Sequence, residues 1–354
     1  MRVANPAWCR PVTPSAAAPQ PGPRGFRSLL ALARPLPFRE VLVLAAILVM
    51  ASILSPRTSA GGIIFLDPGN LSDALRAVAP VGIAALAMTY VILSAGIDLS
   101  VGSVAALAGV VAGRLLVEWK PVIPDNQQVA VAVAVALVAC ALVGLLNGAL
   151  TASLEIQPFV ITLASMIGIR GLGLWLANNE RIGLGVGTDA AGRFGEALAG
   201  KGAMIGTFLV LAAVFLAVLN RTVFGRYVRA IGDNSEAARQ AGLPVFRVKL
   251  AVYALSGFMA GLAGLFLAAR TTTGDPNAGI AMELDTIAVV VIGGASLAGG
   301  RGGILGTVNG TLIVGAVSNI LGLRNVDFNL QLVLKAAIIV LAVALQRRRA
   351  RGQR

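Results

Sequence analysis

Ten apolar runs recur along this chain, near residues 40–55, 75–95, 100–117, 129–153, 158–177, 203–220, 248–269, 284–298, 303–322 and 328–346. A helix needs about 20 apolar residues to cross a hydrocarbon core of about 30 Å. In lipid the backbone must satisfy its own hydrogen bonds, which leaves helices or closed barrels. With 57% hydrophobic and 13% charged residues, the chain lies outside the soluble class. The expected fold is an all-α polytopic membrane bundle of about ten transmembrane helices. The eighth run is short, and hydropathy alone is compatible with nine or eleven crossings.

Basic residues set the expected orientation. Of 29 Lys and Arg, 18 fall on one side of a ten-span arrangement and nine on the other, with Arg170 and Lys335 inside spans. The positive-inside rule then puts both termini in the cytoplasm. The net charge of +13 is dispersed between spans rather than gathered on one face, so it reads as a topology signal and not as a nucleic-acid surface. Residues 1–39 hold eight of the 16 prolines and six arginines. That composition cannot bury a core and is expected to form a disordered cytoplasmic tail. A membrane domain over 40–346 and a basic tail over 347–354 complete the expected organisation. The chain has no His, which excludes His-based triads, and Cys9 and Cys140 sit in regions that a membrane keeps apart.

Four runs carry the G-x-x-x-G spacing: Gly109 and Gly113, Gly144 and Gly148, Gly257 and Gly261, Gly306 and Gly310. Glycines four apart share a helix face and let neighbouring backbones approach, so these positions are expected to be helix-packing surfaces. Segments 92–113 and 291–310 both read as an apolar span, a Gly and Ser hinge and a small-residue helix. An internal repeat of the kind transporters use and a shared Ala and Gly bias both account for that likeness.

Polar residues inside or beside apolar runs are the candidates for function. Asp98 and Ser100 stand at the junction of the second and third runs, where they can cap the third helix or act in transport. Asn147, Asn309 and Asn319 lie inside spans and suit either interhelical hydrogen bonds or the lining of a path for a hydroxylated solute. Arg170 and Lys335 must snorkel, pair or face water. Gly294, Ser296 and Ala298 only approach a nucleophile elbow, in a chain without His, and no phosphate-binding G-x-x-x-x-G-K-[ST] occurs. Neither catalysis nor ATP hydrolysis is expected of this chain.

The basic segment 221–249 contains a helix with clear punctuation. Asp233, Asn234 or Ser235 serves as N-cap, Glu236 occupies the first turn, helix formers run through Ala241, Gly242 stops the helix and Pro244 follows. A helix too short to cross, on a cytoplasmic face, suits a soluble partner. Binding to anionic headgroups needs an apolar face that it barely has.

Four ordered blocks, "ILSAGIDLSVGSVAALAG" (92–109), "LNGALTASLEIQPFVITLASMIGIRG" (146–171), "GRYVRAIGDNSEAARQAGL" (225–243) and "ELDTIAVVVIGGASLAGGRGGILGTVNGTLIVG" (283–315), resemble permease subunits of bacterial ribose-type ABC importers. The resemblance covers about 40–346. It implies a type II importer-like fold in the bacterial cytoplasmic (inner) membrane. It also implies a second permease subunit, cytoplasmic ABC ATPase subunits that carry ATP and Mg, and an extracytoplasmic sugar-binding protein. No cofactor is implied for this chain itself. By the same likeness Asn234, Ser235, Glu236, Ala237, Ala238, Arg239, Gln240, Ala241, Gly242 and Leu243 form the helix that couples to the ATPase. Asp233 and Gln240 depart from the family pattern, which expects a Gly and an apolar residue there. Related permeases for branched-chain amino acids and nucleosides share much of this pattern. A proton-coupled transporter needs intramembrane acids, for which Asp98 is the one candidate.

Overall fold

The computed structural model describes residues 38–59, 61–118, 124–154, 156–185, 187, 189–327, 329–334 and 336–337. In chain order the helices are α1 (Phe38–Leu54), α2 (Pro68–Leu93), α3 (Val101–Gly113), α4 (Asp125–Ser153), α5 (Pro158–Leu176), α6 (Ala190–Ala199) and α7 (Lys201–Arg221). They continue with α8 (Val223–Asp233), α9 (Ser235–Gln240), α10 (Val245–Thr271), α11 (Met282–Ile292) and α12 (Ile304–Leu323). A π turn over Arg114–Glu118 prolongs α3, and β1 (Ile182–Gly183) pairs antiparallel with β2 (Thr273–Gly274). Local chemistry explains several starts. The Asp67 carboxylate accepts from Gly69 N and Asn70 N ahead of α2, Asp189 accepts from Gly192 N ahead of α6, and prolines occupy the first position of α2 and α5.

Among the described residues, seven helices are long and apolar enough to cross a membrane: α2, α3 with its π turn, α4 from Gln127, α5, α7, α10 and α12. They coincide with seven of the ten expected runs, and the protein is a multi-pass membrane bundle. The first run is a shorter helix, apolar over Val41–Leu54. The eighth, 284–298, is helical only to Ile292, where Gly293 follows. Most of the tenth run, with Lys335, lies outside the described residues, as do the expected tails except for the first turn of α1.

Helix α10 is the hub, packed against α4, α3 and α2, while α2 also meets α7, α11 and α12. The expected glycine pairs make these contacts. On α4, a Cβ at Gly144 would run into the Tyr253 carbonyl, and one at Gly148 would come to 2.9 Å from Leu250 Cα. On α10, Gly257 lies against the Cys140 carbonyl and Gly261 against the Cys140 side chain, so the two G-x-x-x-G pairs interlock. Gly306 and Gly310 of α12 press on Gly293 and Val289, while Gly109 meets Ala268 and Gly113 meets Ile182. Hydroxyls add cross-links: Tyr90 donates to the Phe215 carbonyl at 2.7 Å, and Thr89 and Thr307 share a hydrogen bond of 2.6 Å.

Alternate connections gather at opposite ends of the bundle. At one end Gly300 N donates to Leu93 O at 3.0 Å, and Gly232 is wedged between those two residues. At the other, β1 pairs with β2, Lys201 meets Asp73 at 2.8 Å, Arg181 meets Asp275 at 3.0 Å, and Arg270 donates to Ala77 O at 3.1 Å. This is the grouping that alternating inside and outside loops require.

Candidate functional site

Two places carry the polar residues singled out from the sequence. The first is the end of the bundle that presents α9. Asn234 caps this helix, its side-chain oxygen accepting from Glu236 N at 3.1 Å and Ala237 N at 2.9 Å. Gly242, at φ +79, closes it with paired bonds: Gly242 N to Arg239 O at 3.0 Å and Leu243 N to Ala238 O at 3.0 Å. Cap, stop and the following Pro244 fall where the sequence places them. Ala238 is buried and anchors the helix. The residues around it on α9 are exposed, and Gln240 Nε2 donates to Glu236 Oε1 at 3.3 Å.

Helix α9 forms one wall of an open cleft of about 730 Å³. Thr151 from the last turn of α4, Gln157 from the connection and Pro158 from the start of α5 line the cleft, with Arg247 and Lys249 from the start of α10. The shape of this short helix beside the cleft is set by its own hydrogen bonds and by the buried Ala238.

The second place is a buried knot beside the start of α3. Asp98 Oδ1 accepts from Ser100 N at 2.9 Å and from Ser100 Oγ at 2.6 Å, while Oδ2 accepts from Ser256 Oγ of α10 at 2.7 Å. Asn147 of α4 donates to Ser100 Oγ at 3.0 Å. The expected cap therefore takes another form: neither side chain caps the first turn of α3, and the carboxylate ties the α2–α3 connection to α10. Burial pushes the Asp98 carboxyl above its usual range, against hydrogen bonds from Ser100 and Ser256 that lower it. Thr162 of α5 and Tyr253 of α10 both donate to the Ile97 carbonyl, at 3.1 and 3.5 Å.

The three asparagines, alike in sequence, part ways. Asn147 joins the knot, Asn319 exchanges amide hydrogen bonds with Asn70 of α2 at 3.0 Å, and Asn309 Nδ2 is buried without a partner among the described residues. Arg170, half-buried on α5, donates to the carbonyls of Pro276 and Ala278 at 2.6 and 2.8 Å. Sequence reasoning missed Ser256, whose signal is a hydroxyl next to Gly257 on a packing face. It also missed Glu283, which reads as the polar edge of an apolar run.

A multi-pass bundle that exposes a short capped helix at one end has the build of a membrane transport permease. Residues 70–343 match the family described as branched-chain amino acid transport system / permease component, and the chain belongs to that family. Its members are transport components rather than enzymes. The ribose import permease protein of Escherichia coli (strain K12) is 39% identical over 309 residues, 86% of this chain and 92% of that protein. The ribose import permease protein of Bacillus subtilis (strain 168) is 40% identical over 320 residues, 88% of this chain and 92% of its own length. The L-arabinose ABC transporter permease protein of Azospirillum brasilense is 37% identical, covering 82% of this chain and 83% of the relative. The resemblance read from the four sequence blocks is borne out.

Proposed function

We propose that this chain is the membrane-spanning half of an ABC importer that carries a monosaccharide or a related polyol across the cytoplasmic membrane. The observation that carries this reading is the near full-length similarity to permeases named for ribose and L-arabinose. In this reading a second permease subunit, the same or different, closes the path. ATPase subunits dock on the cytoplasmic side and an extracytoplasmic protein delivers the sugar. The α9 helix, with its flanks over 234–243, is the element that seats in the ATPase, which its exposure and its rigid caps support.

The finer architecture belongs to the same proposal. It has ten crossings with both ends in the cytoplasm, tails over 1–39 and 347–354, a membrane domain over 40–346 and a cytoplasmic loop over 221–249. The hinges between α2 and α3 and between α11 and α12 lie at equivalent points of a repeat. Both contain a left-handed residue, Ala95 at φ 59 and Gly294 at φ 89, and the Thr89–Thr307 bond links the helices beside them.

Uptake by the complete assembly in vesicles, with labelled ribose and a panel of competing solutes, tests the substrate class. Competition by pentoses, hexoses or polyols and none by leucine or a nucleoside is expected. Competition by leucine or a nucleoside alone would replace the sugar reading.

A further inference from the structure

The crossing that ends in α11 is only half helical. The 11 residues of α11 extend about 16 Å, against a core of about 30 Å. The chain before it is not helical: after β2 it runs through successive turns, with Ala278 N donating to Asp275 O at 3.0 Å, and follows α3 into the bundle. Gly274 lies against Gly109, and Gly279 lies against Gly102, seven residues lower on α3 or about 10 Å along its axis. Non-helical backbone at such depth persists only where protein buries it or where it lines water.

Part of this segment is buried by protein. Arg170 donates to the Pro276 and Ala278 carbonyls, and Gly102, without a side chain, leaves room for the Gly279 carbonyl. The remainder is open. Ile280 at the tip is 69% exposed and Leu284 on the first turn of α11 is 55% exposed. Between them Glu283 is half-buried, facing Arg170, with Oε2 tucked beside Gly102 and bonded to nothing among the described residues. An open face that holds a guanidinium and a carboxylate at membrane depth is costly against lipid, and such groups mark water-filled paths.

We propose that the face formed by Arg170, the non-helical segment 275–281 and Glu283 lines the solute path at mid-depth. Arg170 supplies donors there and Glu283 an acceptor for a neutral polyhydroxylated solute. This rests on the permease reading and extends it to a site. The four-donor-rich end of Arg170 is already half committed to carbonyls, so it holds the strap in place as well as facing the path.

The test uses the full transporter in vesicles, in nucleotide-free and ATP-bound states, with Ile280→Cys against a membrane-impermeant thiol reagent. Cysteine substitutions are made with Cys9→Ser, and the Cys9→Ser protein, whose remaining Cys140 is fully buried, gives the blank. Val214→Cys on exposed α7 gives the lipid-facing comparison. Reaction at position 280 in either state, at least about tenfold faster than at position 214, is expected for a water-lined face. Reaction no faster than at 214 in both states would overturn the proposal. Glu283→Met, which carries no oxygen acceptor, separates lining from binding: a half-saturation concentration raised about tenfold at normal membrane level is expected. An unchanged value would overturn the acceptor role. Thiol labelling requires no transported sugar, so its result stands even if the solute class proves different.

Discussion

Glycines on α10 and α5 have opposite surroundings. Gly257 is pressed onto the Cys140 carbonyl, whereas nothing lies within 4 Å of the Cβ position at Gly168 or Gly171. The helices that carry them differ in the same way. Protein buries 61% of the α10 span and 11% of the α5 span. Close packing has built one region to hold the bundle together. The other has been left for lipid, water or a second subunit to cover. Spacing tells them apart: the interlocked glycines of α4 and α10 stand four apart on facing helices, while Gly168 and Gly171 stand three apart with no matching pair opposite.

Substitutions sharpen or break that contrast. Gly257→Val forces a branched side chain into a backbone contact and is expected to remove most folded protein from the membrane, a cost at or above about 1–3 kcal/mol. Membrane levels by quantitative blotting check it, and normal levels would contradict the interlocked packing. Asp98→Ala leaves the Ser100 and Ser256 hydroxyls and the Ser100 amide without their acceptor, at about 1–3 kcal/mol for buried polar groups. A lowered melting temperature in detergent is expected, with Asp98→Asn intermediate.

The exposed surfaces reverse the pattern of effects. Glu236→Lys with Arg239→Glu alters an exposed helix whose side-chain pairs are worth about 0.3–0.5 kcal/mol, so stability should barely change. Transport should nevertheless be lost, through the partner surface. Copurification with the ATPase and normal uptake in that variant would return α9 to an ordinary connection. The smallest effect is expected for Gly171→Ala, where the open space accepts a methyl group and the helix gains about 0.8–1.0 kcal/mol in intrinsic propensity. Thermal denaturation should show no loss.

What the sequence made legible is local. The α9 cap and stop and the glycine pairs depend on residues within one turn or one heptad of one another, and the seven long spans on single runs of about 20 consecutive residues. What it concealed is long-range. The segment "TTTGDPNAGIA" (271–281) has the composition of a surface loop, yet it descends into the bundle because Gly109 and Gly102 of α3 give its backbone room. The run 284–298 reads as a span because apolar composition does not reveal that the helix stops at Gly293, where Gly306 of α12 presses in. Asp98 stood out in the sequence, but its partner Ser256 is 158 residues away and no spacing rule connects them.

A transporter whose moving parts are driven from a docked ATPase differs from one driven by an ion gradient in a single measurable respect. Vesicles holding the permease with its ATPase facing the lumen should take up sugar when ATP is enclosed inside and the binding protein is supplied outside. They should continue to do so when an uncoupler collapses the proton gradient. Uptake that needs no ATPase subunit, persists without ATP and stops with the uncoupler would contradict the assignment.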